Sequence, residues 1–168
     1  MTRSDPRTAL LLDVLDSVFD GRAWHGTTLR GSVRGLGVRQ VLWRPGPRRH
    51  CVWELVLHTA YWKYVTRRRL TNAKKGAFPR EGSNWPRLPR VRDEAAWRKD
   101  VALLVEEHRL LSETVAAFPA GRLDRRPPKS KWTFAEQIHG VAAHDVYHAG
   151  QIQLLKRLRG ERGAKGDR

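Results

Sequence analysis

The chain has 168 residues, about one domain's worth, and its 40% of hydrophobic residues fall in periodic clusters, which excludes a disordered chain. A lone cysteine, Cys51, excludes an intramolecular disulfide framework, and Asp13 and Asp16 break the apolar stretch near the start, so neither a signal-peptide core nor a membrane span is expected and a cytoplasmic address follows. The formal net charge of +16 makes nucleic acid a partner to consider, but the arginines are scattered, without interleaved stacking aromatics or zinc-finger cysteines, and a solvated basic surface is the favoured reading.

Residues 8–20 place Leu11, Val14, Leu15 and Val18 at helical spacing, with Gly21 as the stop. Residues 22–49, rich in Gly, Arg and Pro, read as a long connection with room for one irregular helical turn. From Val52 to Leu70 there is no Gly or Pro, and Leu55, His58, Trp62 and Val65 share one face of a second helix. Three prolines and two glycines make 71–92 a loop.

A third helix starts near Asp93, with Trp97, Val101, Leu104, His108, Leu111, Val115 and Phe118 alternating in steps of four and three. Pro119, Gly121 and Pro127-Pro128 break it. Thr133 and Glu136 then form a capping box for a fourth helix running to Arg159. Four amphipathic helices without strand candidates predict an all-α four-helix bundle over residues 1–160, followed by a disordered basic tail at 161–168.

The chemistry is concentrated in HDVYHAGQIQLL, where His144 and His148 lie one turn apart on one helix face. At 100° per residue they align with Val141, Gln151, Ile152 and Leu155, the stripe expected to be buried. The spacing alone is weak, and a pair of core histidines hydrogen-bonded to neighbours explains it equally well. His58 shifts the balance, because it too lies on an apolar face, between Leu55 and Trp62. Three inward imidazoles are hard to satisfy except by a shared metal ion, and three ligands leave a coordination position open.

With its WHG element after the first helix, the histidine within WELVLHTAYW and the terminal HDVYHAGQIQLL, the sequence resembles the DinB-like superfamily of metal-binding four-helix bundles, which also includes the YfiT-type bacillithiol transferases and the mycothiol-dependent maleylpyruvate isomerases. The resemblance makes His58, His144 and His148 the ligands of a divalent ion, zinc or nickel. It also implies a homodimer.

Around this centre, His25 of the Trp24-His25-Gly26 element is a candidate to reach the open side of the metal from its loop, and Gln151 to orient a ligand or a bound water. Glu54 either receives an imidazole proton or pairs with an arginine. His108 is read as a core histidine, His139 as surface, His50 as a cap or surface group and Cys51 as a small buried hydrophobe, while Tyr61, Trp62 and Tyr147 are candidates to wall a cavity. The functional expectation is a metal-dependent hydrolase or low-molecular-weight-thiol S-transferase acting on a small molecule. The alternative is a stress-related nucleic-acid-binding or structural helical protein with a non-catalytic metal.

Overall fold

The computed structural model describes residues 5–74 and 76–166, and these contain helices and no strand. Four long helices form the bundle: α1 (Pro6–Phe19), α4 (Val52–Thr71), α5 (Glu94–Ala116) and α6 (Phe134–Gly166). Each packs on two of the others, α4 on α5 and α6, and α1 on the same two, so α1 and α4 stand diagonally across the centre. Two short helices, α2 (Leu29–Val33) and α3 (Val38–Val41), lie in the long connection, with α2 against α6 and α3 against α4. Among the described residues no helix is long and apolar enough to cross a membrane.

The helix ends follow local chemistry. Pro6 opens α1 behind Asp5, whose carboxylate accepts from the Arg7 amide at 2.8 Å. Asn72 closes α4 in the left-handed conformation at φ 52°. The capping box expected for α6 is present: Thr133 N donates to Glu136 at 2.6 Å and Glu136 N to the Thr133 hydroxyl at 3.1 Å.

Two differences from the sequence reading concern extent. The connection at 22–49 holds two short helices rather than one turn, because Leu29, Val33 and Val41 are apolar enough to be buried against the bundle. The last helix runs past Arg159 to Gly166, further than the periodicity predicts. Residues 167 and 168 lie outside the described residues.

The buried apolar side chains fall into two clusters. One joins Trp53, Leu57, Trp97, Leu104 and Ile152; the other joins Leu15, Leu111, Val115, Phe118, Phe134 and Ile138. Between them lie the buried Lys63 on α4, His108 on α5 and Asp145 on α6, and the exposed Asp16 on α1 meets this layer at its edge. Lys63 is ion-paired with Asp145, both wholly buried, and its ammonium lies 3.4 Å from His108 Nδ1, while His108 Nε2 donates to Asp16 at 3.0 Å.

Candidate functional site

His58, His144 and His148 meet beside this polar layer, in the seam between α4 and α6. His58 Nε2 and His148 Nε2 each lie 3.0 Å from His144 Nε2. Helical spacing brings the second pair together, and the packing of α4 on α6 brings His58 to them.

The outward nitrogens fix how the inner ones face. His58 Nδ1 lies 2.5 Å from the Asn84 carbonyl, and a carbonyl only accepts, so Nδ1 carries the proton and Nε2 the lone pair. His148 Nδ1 donates in the same way to the Gln151 side-chain oxygen at 2.7 Å. Both lone pairs therefore point toward His144 Nε2. A single proton on that nitrogen satisfies one of them and leaves the other bare, and the buried His144 Nδ1 has no partner of its own.

A cation between the three nitrogens satisfies every lone pair at once. Zinc–imidazole bonds of about 2.0–2.1 Å in a tetrahedral shell separate the nitrogens by about 3.3 Å, close to the two 3.0 Å separations from His144 Nε2. The protonation states agree with this fit. Burial holds all three imidazoles below their ordinary range, His144 to about 3, with added repulsion from His148 and His58, and His148 to about 4, so the neutral, ligating form is the one present near neutrality.

The loop between α4 and α5 completes the surroundings of His58. Asn84, at φ 62°, turns its carbonyl onto His58 Nδ1 and accepts from Trp62 Nε1 on its side-chain oxygen at 2.8 Å. Trp85 stacks on His58 at 3.9 Å and, on its other face, on His50 at 3.6 Å. Arg80 anchors the loop through two hydrogen bonds to the buried Asp100, which also accepts from Trp53.

Two cavities open on the centre and share His58, Asn84 and His144. The first, about 750 Å3, runs between α4 and α6 toward the start of α6, past Trp62, Arg69, Trp132 and Gly140. The second, about 720 Å3, runs the other way, past His50, Trp85, Tyr147, His148 and Gln151.

Of the residues singled out from the sequence, the structure gathers His58, His144, His148 and Gln151, with Gln151 against His148 Nδ1. It does not bring in His25, which is exposed in the turn at 23–26, outside the cluster and lining neither cavity. In that placement the connection after α1 folds into α2 and α3, and the α4–α5 loop lies over His58. Glu54 pairs with Arg44 through two 2.6 Å contacts and also meets His50 at 3.3 Å, without touching His58. His108 is buried away from the centre, and Cys51 is buried at the head of α4, where burial pushes its thiol up. Trp62 walls the first cavity and Tyr147 the second, while Tyr61 packs on Phe78 instead. His139 is exposed but lies on the rim of the first cavity.

Sequence reasoning missed Asn84 and Trp85, and read His50, which is exposed at the head of α4, as a cap or surface group without its stacking on Trp85. Asn84 acts mainly through its backbone carbonyl, which no side-chain pattern reports; Trp85, a large apolar residue in a loop rich in Pro, Gly and Arg, was the available signal. Residues 23–152 match a family model described as the DinB superfamily. No curated protein and no solved structure matches the chain.

Proposed function

The chain belongs to the DinB superfamily, and from its three-imidazole centre we propose that it is a metal-dependent enzyme whose divalent ion is held by His58, His144 and His148. The observation that carries this reading is the convergence of the three Nε2 atoms, two with their lone pairs fixed inward by Asn84 and Gln151. A divalent ion, zinc or nickel, supplies Lewis acidity there and lowers the pKa of a water or a small thiol enough to make it a nucleophile.

The protein's own groups divide the remaining tasks. Asn84 and Gln151 keep the ligating tautomers, and Trp85 closes one face of His58 against solvent. His50 borders the second cavity with one ring nitrogen on the Glu54 carboxylate, which leaves the other free to take a proton from a nucleophile arriving on that side. Two cavities meeting at one centre favour transfer between two substrates, a low-molecular-weight thiol and an electrophile, over hydrolysis, which needs room for only one.

Elemental analysis of untagged protein loaded with zinc or nickel tests the metal, with one equivalent expected in the wild type and a large loss in His144→Ala. Less than about a tenth of an equivalent of any transition metal in the wild type overturns the reading. Turnover of cysteine with 1-chloro-2,4-dinitrobenzene against turnover of 4-nitrophenyl acetate separates transfer from hydrolysis. His50→Gln is expected to lower kcat while the metal stays bound.

A further inference from the structure

We propose that the cavity running from the triad toward the start of α6 binds a flat, apolar molecule bearing a carboxylate, its ring between Trp62 and Trp132 and its carboxylate on Arg69. The inference builds on the proposed metal centre only in taking the inner end of this cavity as the reacting end.

The walls select a flat apolar body. Trp62 spends its only polar group on Asn84, so what it presents to the cavity is an indole surface with nothing for water to bond. Trp132, 52% exposed and with the Lys131 ammonium 5.1 Å from its ring centre, borders the same cavity. Gly140 lies on the α6 side, where a Cβ would meet nothing within 4 Å, so the absent side chain leaves open space along the helix.

The far end selects the charge. Arg69 holds its guanidinium 5.9 Å from the Trp62 ring centre, and among the described residues its side chain makes one hydrogen bond, a long one of 3.4 Å to the Gln137 amide oxygen. Arg44, Arg67 and Arg80 each face a carboxylate. Among the described residues none stands within ion-pairing reach of Arg69. Glu136, which also borders the cavity, is committed to the Thr133 amide at the cap of α6.

A guanidinium matches a carboxylate through two parallel hydrogen bonds, whereas a phosphate dianion would be left half-paired by one arginine. The Arg69 guanidinium is 5.9 Å from the Trp62 ring centre and that ring is 6.3 Å from the His144 ring, so the guanidinium is on the order of 10 Å from the triad. Two joined aromatic rings span that distance.

Calorimetry on the full chain loaded with zinc, using biphenyl-4-carboxylate and biphenyl-4-methanol, tests the assignment. The acid is expected to bind at least about tenfold more tightly than the alcohol. Arg69→Met is expected to erase that preference by weakening the acid alone. Gly140→Phe should abolish binding of both without lowering Tm, since it removes a helix-interior glycine and fills open space. Trp132→Ala, at an exposed ring, gives the same loss by a change that does not touch the bundle packing.

Equal binding of acid and alcohol by the wild type overturns the proposal, as does an acid preference that survives Arg69→Met. The preference is also expected to persist in the zinc-free chain; if it disappears with the metal, the carboxylate sits on the ion and the proposal is wrong. A wild type that takes up no zinc but still prefers the acid removes the metal reading and leaves this one standing.

Discussion

Gln151 stands three residues beyond His148 on α6, and its side-chain oxygen holds the proton of His148 Nδ1. Losing such an outer partner costs about ten- to a hundredfold in metal affinity while the ligand itself remains. Gln151→Leu is therefore expected to weaken zinc binding by that factor in a competition titration, with unchanged helicity; undiminished affinity would reduce Gln151 to packing. His108 gives a separate test at the same scale. Burial, and then the nearby Lys63 charge, lower its pKa from 6.5 to about 4, so it is neutral in the fold while the unfolded chain takes up a proton. Its contribution to stability is whole above pH 6.5 and is lost as pH falls from there toward 4. Urea unfolding of the metal-free protein at about pH 7.5 and pH 5 should show His108→Gln losing about 2 kcal/mol less than the wild type over that interval.

At the scale of elements, the buried Lys63, His108 and Asp145, with the exposed Asp16 at their edge, tie each long helix to a neighbour at one level of the bundle. Breaking the Lys63–Asp145 pair from one side strands a charge in the interior, and Lys63→Met or Asp145→Asn is expected to cost about 3–5 kcal/mol by thermal or urea unfolding. The double variant Lys63→Met with Asp145→Leu should return close to the wild type or exceed it, because the desolvation of both charges disappears together. A double variant as unstable as either single one would show that the pair does more than fill its space. This layer marks where the sequence ceased to be legible. Helical periodicity located all four long helices, and the burial of His58 and His148 followed from a stripe on each helix. Asp145 lies 100° off that stripe, where the periodicity gives no sign of its complete burial. A stripe argument assumes one buried side, whereas α6 is covered by α4 on one side and by α1 and α2 on others. For the same reason Asn84 and Trp85 were hidden: the loop that carries them is placed by Arg80 on Asp100, a contact between residues far apart in sequence.

Over the whole molecule, 33 basic residues face 17 acidic ones, and many of the acidic residues are already engaged: Asp20 with Arg30 and Arg34, Glu54 with Arg44, Glu107 with Arg67, Asp100 with Arg80 and Asp145 with Lys63. What remains is a surplus of arginine at the surface, whose field draws anions toward the molecule and reinforces the preference argued for Arg69. The same field attracts any polyanion. Duplex DNA is therefore expected to bind at low salt regardless of sequence, with an affinity that falls by orders of magnitude between about 50 and 200 mM salt as counterions return to the phosphates. His144→Ala should leave this binding unchanged, since the imidazoles lie in the seam between α4 and α6 and not among the surface arginines. Filter binding of one specific and several scrambled duplexes across that salt range measures both points. A single duplex retained near physiological salt, and released when the metal is removed, would show that the basic surface and the histidine centre serve nucleic acid together and would displace the enzymatic reading.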